Sequence, residues 1–147
     1  MEPAREDGFT LIELMIVAAL VAVMAGIAVP VIAGAMRRYN VITASQQVVS
    51  AIRAARVQAV GKNQLLEVDF NPAAGTYQVQ DADVGIGPVY TLPVGAVFVA
   101  AATDIQFDTS GRLDVAVPAP VTIVVGNGDA AHNRTITVTR SGRVQMP

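Results

Sequence analysis

The chain has 147 residues, 52% of them hydrophobic, and a formal charge of -2 from 10 Lys and Arg against 12 Asp and Glu. This length suits one compact domain with an additional segment rather than two domains. The absence of cysteine excludes disulfides and thiolate metal sites. Because residues 9–147 are net neutral, no global charge attracts the chain to nucleic acid or an acidic surface.

The first predicted element is an apolar helix. No charged residue occurs in residues 14–36, which at 1.5 Å per helical residue extend about 34 Å. That length crosses a hydrocarbon core of about 30 Å. An ordinary secretory signal would have a shorter apolar run, a basic start and a small-residue cleavage site after the run, and none of these fits well. The sequence therefore predicts a membrane-spanning segment.

The charges on either side of this segment bear on its orientation in the membrane. Residues 1–8 are net acidic, whereas Arg37 and Arg38 follow the apolar run directly. By the positive-inside rule, this pair favours a cytoplasmic location for the C-terminal side.

The apolar run continues into an amphipathic pattern. Small and apolar residues recur at three- and four-residue spacing through residues 41–59. The recurring residues are Val41, Ser45, Val48, Ile52, Ala55 and Ala59, and glutamine, serine and arginine lie between them. This spacing predicts that the helix continues with one face against a folded domain. Gly61, followed by Lys62 and Asn63, predicts its end, so the helix should run from about Thr10 to Val60.

Short apolar or alternating segments bounded by turn-forming residues follow the helix. These segments predict strands at 65–70, 76–80, 89–92, 96–99, 104–107, 113–117, 121–125 and 135–139. The predicted fold class is α+β. A long N-terminal helix, membrane-spanning in its first half, packs its amphipathic second half on an antiparallel β-sheet domain.

One short motif carries most of the functional information. The residues Gly8-Phe9-Thr10-Leu11-Ile12-Glu13-Leu14 resemble the processing site of type IV prepilins and type II secretion pseudopilins. The resemblance implies that residues 1–8 are a leader, that a prepilin peptidase cuts between Gly8 and Phe9, and that the new amine of Phe9 is methylated. A glycine before the cut lets the backbone lie extended and unhindered in a protease cleft.

Glu13 is the second part of this motif. A carboxylate in an otherwise uncharged membrane helix costs about 2.5–3.5 kcal/mol at the helix centre, so such residues are usually paired and functional. The resemblance implies that Glu13 pairs in the filament with the Phe9 amine of a neighbouring subunit and sets its axial register. The alternative is that Glu13 is solvated in the headgroup layer without a role.

The resemblance extends along the helix to Pro30, which matches a proline in the membrane half of these proteins. Proline removes one helical hydrogen bond, and the resulting kink or local melting would let the helix bend around its neighbours. Proline also occurs in membrane helices without any such purpose.

A second resemblance lies in the soluble part. The residues 48–60 with the strand after them, and the two turns 107–112 and 136–144, are similar to the GspH/FimT type of minor pseudopilin. In that type a strand, a Gly-Arg turn and a terminal strand recur in this order. The acidic leader departs from the usual basic one. The resemblance implies a minor subunit rather than the abundant shaft subunit.

Catalysis, cofactors and metals find little support in the sequence. His132 is the single histidine and lies in a predicted turn, so it offers no nucleophile–base pair. Asp81 and Asp83 could donate to calcium, but Gly85 stands where an EF-hand pattern needs an oxygen ligand. We therefore expect no enzyme activity, no cofactor and no metal site.

Three arginines near the end, Arg134, Arg140 and Arg143, could gather on one edge together with Arg112. Some FimT-like minor pilins hold DNA with a basic C-terminal tail, but their usual Gly-Arg-x-Arg pattern has glutamine in the second basic position here. Each lost phosphate contact lowers affinity, and no aromatic stacking platform is nearby. The sequence predicts weak DNA binding at most.

Together these features predict a structural minor pseudopilin of a type II secretion system that assembles into or caps the pseudopilus. The first alternative is a minor pilin of a type IV pilus, active in assembly, and the second is a pilin that captures DNA during uptake. The resemblance implies that the partners are other pilins, prepilin peptidase and inner-membrane lipid. The predicted organisation is a leader (1–8), a transmembrane half-helix (9–36), an amphipathic half-helix (37–61) and a periplasmic β-rich domain (62–147).

Overall fold

A computed structural model describes residues 9–81, 84–99 and 104–147. The chain forms two compact units, one ending at Met36 and the other spanning Arg37–Pro147. The predicted cleavage site at Gly8 lies outside the described residues.

Helix α1 (Leu11–Lys62) has 52 residues and continues through Pro30. It ends two residues beyond the predicted Val60, because the residue that stops it is Asn63 rather than Gly61. Asn63 has a φ of 52°, in the left-handed region that asparagine tolerates better than most residues. The N–H of Gln64 donates to the carbonyl of Ala59 at 3.1 Å, which closes the helix with a Schellman-type pattern.

The amphipathic half of α1 buries one stripe of side chains. All six residues predicted to form this stripe are buried, and Ala44 and Val49 join them. Ser45 is the buried polar residue of the described part of the chain, and its hydroxyl donates to the Val41 carbonyl at 2.7 Å. The stripe therefore enters the core with its one hydroxyl hydrogen-bonded, as a buried polar group requires.

The described residues after the helix form nine strands in two antiparallel sheets. Their bounds are β1 (Leu66–Asn71), β2 (Thr76–Asp81), β3 (Val84–Gly85), β4 (Tyr90–Thr91), β5 (Val97–Phe98), β6 (Ile105–Phe107), β7 (Val121–Gly126), β8 (Arg134–Val138) and β9 (Val144–Gln145). One sheet has the order β3-β2-β1-β6, with β4 also pairing β2, and the other has the order β5-β7-β8-β9. The α+β class is confirmed, with two sheets under the helix.

The core lies between the helix stripe and both sheets. In β1 the residues Leu66, Val68 and Phe70 alternate inward, and in β7 Val121, Ile123 and Val125 do the same. This period of two places the apolar side chains of each strand on one face. The inward residues of the two sheets and the helix stripe form one continuous cluster of buried apolar residues.

The predicted strand at 113–117 is wrong. Leu113 forms only an isolated bridge with Phe107. Beyond it, Asp114 accepts hydrogen bonds from the N–H groups of Ala116 and Val117, through its carboxylate and its carbonyl respectively. An aspartate that captures its own backbone in this way favours a turn over a strand. The two-residue strands β3 and β9 were not predicted, because segments this short carry no readable alternation.

Candidate functional site

The start of α1 is a reciprocal cap between Thr10 and Glu13. The carboxylate of Glu13 accepts hydrogen bonds from the N–H and the hydroxyl of Thr10, each at 3.0 Å. The N–H of Glu13 donates in return to the Thr10 hydroxyl oxygen at 3.3 Å. This is a capping box, which satisfies two N–H groups that the first helical turn would leave unpaired.

The cap gives Glu13 a second, local role. Its carboxylate is held against the chain's own backbone beside Phe9, the residue predicted to become the N-terminus. A substitution that removes the carboxylate therefore removes a charge and a helix cap together. An assembly test on Glu13 must separate these two effects.

The first half of α1 exposes apolar side chains on all sides. Phe9 is 89% exposed, and the large apolar residues from Leu11 to Met36 are also exposed. Glu13 is the single charged residue in 9–36. Contiguous apolar patches of this extent are not left in water by soluble proteins, so lipid or other helices must cover them. The helix is long and apolar enough to cross a membrane.

Pro30 lies inside this apolar half. It has no N–H, so the carbonyl of Gly26 receives no hydrogen bond from it. A free carbonyl in the apolar half is a place where the helix can bend at low cost once neighbouring groups satisfy it.

In the second unit, two turns of the same design lie side by side. The first comprises residues 108–112 and the second 139–143, and each contains Ser-Gly-Arg. In both turns the glycine, Gly111 or Gly142, adopts a positive φ, of 73° and 74° respectively. In both, the first residue accepts the glycine N–H and donates to the carbonyl of the arginine. We call them the twin turns.

The first residue of each turn also uses its side chain. Asp108 accepts hydrogen bonds from the Ser110 hydroxyl, the Arg112 N–H and the Ser110 N–H, at 2.6, 2.9 and 2.8 Å. The hydrogen bond from the Ser110 hydroxyl, followed by that from the Arg112 N–H, lowers the pKa of this exposed carboxylate below its ordinary value. In the second turn the hydroxyl of Thr139 takes the corresponding place and accepts from the Arg143 N–H at 3.3 Å.

Arg56 joins the helix to both turns. Its Nε donates to the Gly111 carbonyl at 2.7 Å, and its Nη2 lies 3.4 Å from the Ser141 carbonyl. The chain just after the first turn also binds the second turn, because the Leu113 N–H donates to the Arg140 carbonyl at 3.1 Å. A single guanidinium thus fixes two loops on one end of the helix.

The arginines considered for DNA binding do not form one patch. Arg134 begins β8, whereas Arg140 lies beyond its other end, about 20 Å away at the usual strand rise. Arg140 also donates to the Asp114 carbonyl at 2.8 Å. Arg143 instead lines a shallow groove of about 520 Å³ with Arg53 and Arg56. The expected gathering on one edge is therefore replaced by a smaller cluster beside the helix.

A second groove, of about 550 Å³, lies between the helix and the edge of the first sheet. Tyr77 and Tyr90 stack at its floor with ring centroids 5.3 Å apart. The pKa of Tyr77 is raised, first by burial and then by the neighbouring Tyr90. The remaining walls are glutamine, serine, threonine, alanine and valine side chains, so the groove offers neutral hydrogen-bonding groups and no charge.

The candidate metal and catalytic residues of the sequence are not brought together in the described part of the chain. No group of three or more His, Asp or Glu side chains there could hold a metal ion. His132 lies in a short 3₁₀ turn (Ala130–His132), with its Nδ1 3.1 Å from a carboxylate oxygen of Asp129. Asp83, the second residue of the candidate calcium loop, lies outside the described residues.

Three residues that hold the helix start and the loops in place were not predicted from the sequence. The Thr10 cap could have been found, since Thr-x-x-Glu before an apolar run is a capping-box signature. Arg56 and Asn40, whose amide donates to the Val94 carbonyl at 2.9 Å, carried no such signal. Their partners are 54 or more residues away in the sequence.

A capped apolar helix with one carboxylate, continuing into a stripe packed on two antiparallel sheets, defines a pilin-like subunit. Two family models match the chain: the prokaryotic N-terminal methylation motif over residues 3–29 and the type II transport protein GspH over residues 44–142. The chain belongs to the GspH family. Membership implies assembly with other pilin-like subunits into a filament, and the apolar helix fits a single-pass membrane anchor.

Solved structures share this fold. The type IV minor pilin FimU of Pseudomonas aeruginosa is 16% identical, with a TM-score of 0.62 over 75% of this chain and 90% of FimU. The minor pseudopilin EpsH of the Vibrio cholerae type 2 secretion system is also 16% identical, with a TM-score of 0.56 over 72% of this chain and 94% of EpsH. No curated protein gave a significant sequence match. The resemblance to minor pilin-like proteins is confirmed, and these are structural proteins rather than enzymes.

Proposed function

We propose that this chain is a minor pseudopilin of a type II secretion system, which assembles into or caps the pseudopilus. The observation that carries the proposal is the pairing of the N-terminal methylation motif with the GspH match over residues 44–142 of the same chain. The exposed apolar half of α1 supports it, because this surface needs lipid before assembly and neighbouring helices after it.

Maturation comes first in this proposal. Prepilin peptidase removes residues 1–8 by cutting between Gly8 and Phe9, and the amine of Phe9 is methylated. The mature chain then holds residues 9–36 in the inner membrane, with the amphipathic half-helix 37–61 and the β-rich part 62–147 in the periplasm.

Glu13 then acts in assembly. The Phe9 amine of a neighbouring subunit pairs with its carboxylate, and separation from water strengthens this attraction. Pro30 gives the helix the freedom to bend between its neighbours. In this proposal the capping hydrogen bonds hold the carboxylate in a defined position before the partner arrives.

Intact-mass analysis of the membrane-extracted protein from its native host tests the maturation step. The expected product begins at N-methylated Phe9. A cut within or after residues 14–36 would show a conventionally secreted protein and would end the filament proposal. Gly8→Val, which adds a branched side chain before the cut, should leave the leader attached.

Orientation needs its own experiment, because Arg37 and Arg38 favour the opposite topology by the positive-inside rule. Protease added outside spheroplasts should digest residues 62–147 and leave an apolar fragment in the membrane. Protection of the β-rich part would place it in the cytoplasm, which contradicts the proposal.

The second candidate is a minor pilin of a type IV pilus. The similarity to FimU as well as to EpsH keeps it under consideration, since at 16% identity each shows the fold alone. Deletion of the gene in the native host separates the two functions. Loss of protein secretion with normal surface pili supports the pseudopilin, and loss of pili with normal secretion supports the pilin.

A further inference from the structure

Two uncharged loops lie beside the point where the chain enters its second unit. The turn 72–75 and the loop 93–95 line one shallow cavity, and the Leu92 N–H donates to the Gly75 carbonyl at 2.9 Å. Residues 70–80 and 84–103 contain no charged residue. The turn 72–75 and the loop 93–95 are thus themselves uncharged, and we call the surface that they form the base surface. The carboxylate next to it, Asp104, accepts a hydrogen bond from the Phe70 N–H at 2.9 Å.

The base surface is attached to the first helical turn of that unit. The side-chain amide of Asn40 donates to the Val94 carbonyl at 2.9 Å. Asn40 lies four residues beyond Met36, the last residue of the uncharged run, which is about 6 Å along the helix. The headgroup region on each side of a bilayer is about 5–8 Å thick. Val94 is thus bound to a residue that lies within a headgroup thickness, measured along the chain, of the last residue of the uncharged run.

The exposed side chains near this junction include types that membrane interfaces favour. Val94 is 90% exposed, and Pro93 lies next to it. Tyr39 is 63% exposed, and Arg37 and Arg38 are exposed beside it. Tyrosine is enriched at the boundary between lipid and water, and basic residues there are worth about 1 kcal/mol each on an anionic surface.

We propose that the base surface rests on the bilayer that holds the helix, with Val94 and Tyr39 among the headgroups and with Arg37 and Arg38 bound to anionic phospholipid. The loops contribute no acidic group that would repel such a surface. This contact sets the depth of the base surface in the headgroup layer before the subunit assembles. The inference rests on the membrane anchor alone and does not require a particular secretion or pilus system.

The chain provides a matched control for testing this contact. Val115 is also 90% exposed and also lies on a loop. Asp114 beside it accepts a hydrogen bond from Arg140, in the turn that Arg56 contacts. Helix positions 40 and 56 are about 24 Å apart, so Val115 belongs to the end of the unit away from the base surface. Because the chain has no cysteine, Val94→Cys and Val115→Cys each create a single labelling site.

The experiment uses the full chain in vesicles of phosphatidylcholine alone or of equal parts phosphatidylcholine and phosphatidylglycerol, at high lipid excess. Each variant carries an environment-sensitive fluorophore, and circular dichroism checks its fold. We expect the label at position 94 to be quenched several-fold less by iodide, and several-fold more by headgroup-nitroxide lipid, than the label at position 115. The difference should be larger in the anionic vesicles.

Two further variants assign the contact. Arg37→Gln with Arg38→Gln should remove the gain that phosphatidylglycerol produces and leave the signal in phosphatidylcholine unchanged. Asn40→Ala should raise iodide access at position 94, because it frees the loop from the helix. Equal quenching at positions 94 and 115 would overturn the proposal. It would also be overturned if the protection of position 94 disappeared on dilution with lipid, because that result would identify a second copy of the chain as the partner. Flotation of the vesicles reports the anchor separately.

Discussion

The Nε of Arg56 donates to the Gly111 carbonyl at 2.7 Å, and this contact joins residues 55 positions apart in the sequence. The helix meets the twin turns here, and the same guanidinium reaches the Ser141 carbonyl. The two carbonyls would otherwise depend on water, so Arg56 sets the position of both turns. Substitution of Arg56 should therefore destabilise the fold through the lost hydrogen bonds rather than through the lost charge.

We expect Arg56→Ala to lower the free energy of unfolding by about 1.5–3 kcal/mol, the range for hydrogen bonds that involve a charged group. Urea unfolding of the detergent-extracted protein, followed by circular dichroism, measures the loss. Arg53→Ala, one helical turn earlier on an exposed position, is the control and should stay within about 0.5 kcal/mol of wild type. Equal losses for both variants would mean that the charge, and not the contact, is stabilising.

The contact between the twin turns depends on glycine at position 142. A Cβ there would collide with the Gly111 carbonyl oxygen, and φ is already 74°. Gly128 has a φ of 88° but open space around it. Gly128→Ala should therefore lower the free energy of unfolding by about 1–2 kcal/mol, the cost of a left-handed conformation for alanine. Gly142→Ala should lower the free energy of unfolding by about 1–3 kcal/mol more, because its Cβ also overpacks the contact between the turns. Matching midpoints in urea would show that the turns can move apart freely.

Glu13 requires a pair of variants. Glu13→Gln keeps the capping box, because glutamine serves at this position, but removes the charge. Glu13→Val removes both the cap and the charge, and the lost cap lowers the stability of the helix by about 0.5–2 kcal/mol. If the carboxylate pairs with the Phe9 amine of a neighbour, both variants should insert in the membrane, be processed, and fail to co-purify with the filament. Normal incorporation of Glu13→Gln alone would assign the role of Glu13 to capping.

Asp108 predicts a pH dependence of stability. Its pKa is lower in the folded chain than in the unfolded one, chiefly through the Ser110 hydroxyl. Its contribution is therefore complete above the unfolded pKa, near 3.8, and is lost as pH falls through the lower folded value. Because the group is exposed, the effect should be small. Urea midpoints measured from pH 6 downward should fall less steeply for Ser110→Ala than for wild type. An unchanged slope would exclude this hydrogen bond as the source.

Weak DNA binding is the last expectation. Arg134 and Arg140 lie at opposite ends of β8, and Arg140 donates to a backbone carbonyl. With few phosphate contacts available, affinity for duplex DNA should stay in the non-specific range of about 10⁻⁴–10⁻⁶ M at physiological salt. Fluorescence anisotropy with labelled duplex tests this. Submicromolar binding that Arg143→Ala abolishes would identify a DNA-capturing pilin instead.

The sequence by itself determined the features that depend on near neighbours along the chain. The stripe from Val41 to Ala59 and most of the strands follow from the period of apolar residues, which each element expresses locally. The pilin-like class could be identified from the residues around Glu13, and the GspH type from residues 48–60, 107–112 and 136–144. The Thr10–Glu13 cap was also readable, because its hydrogen bonds span a single helical turn.

Only the tertiary structure decided how the loops are arranged. Asn63 rather than Gly61 ends the helix, and Asp114 turns the chain where Leu113–Val117 alternates like a strand. Arg56 and Asn40 look like ordinary polar residues of an amphipathic helix, and their importance comes from the backbone carbonyls that the folded sheets bring to them. No local pattern encodes such contacts, because the acceptor is a peptide group that every residue has and only the assembled sheets determine which one lies within reach.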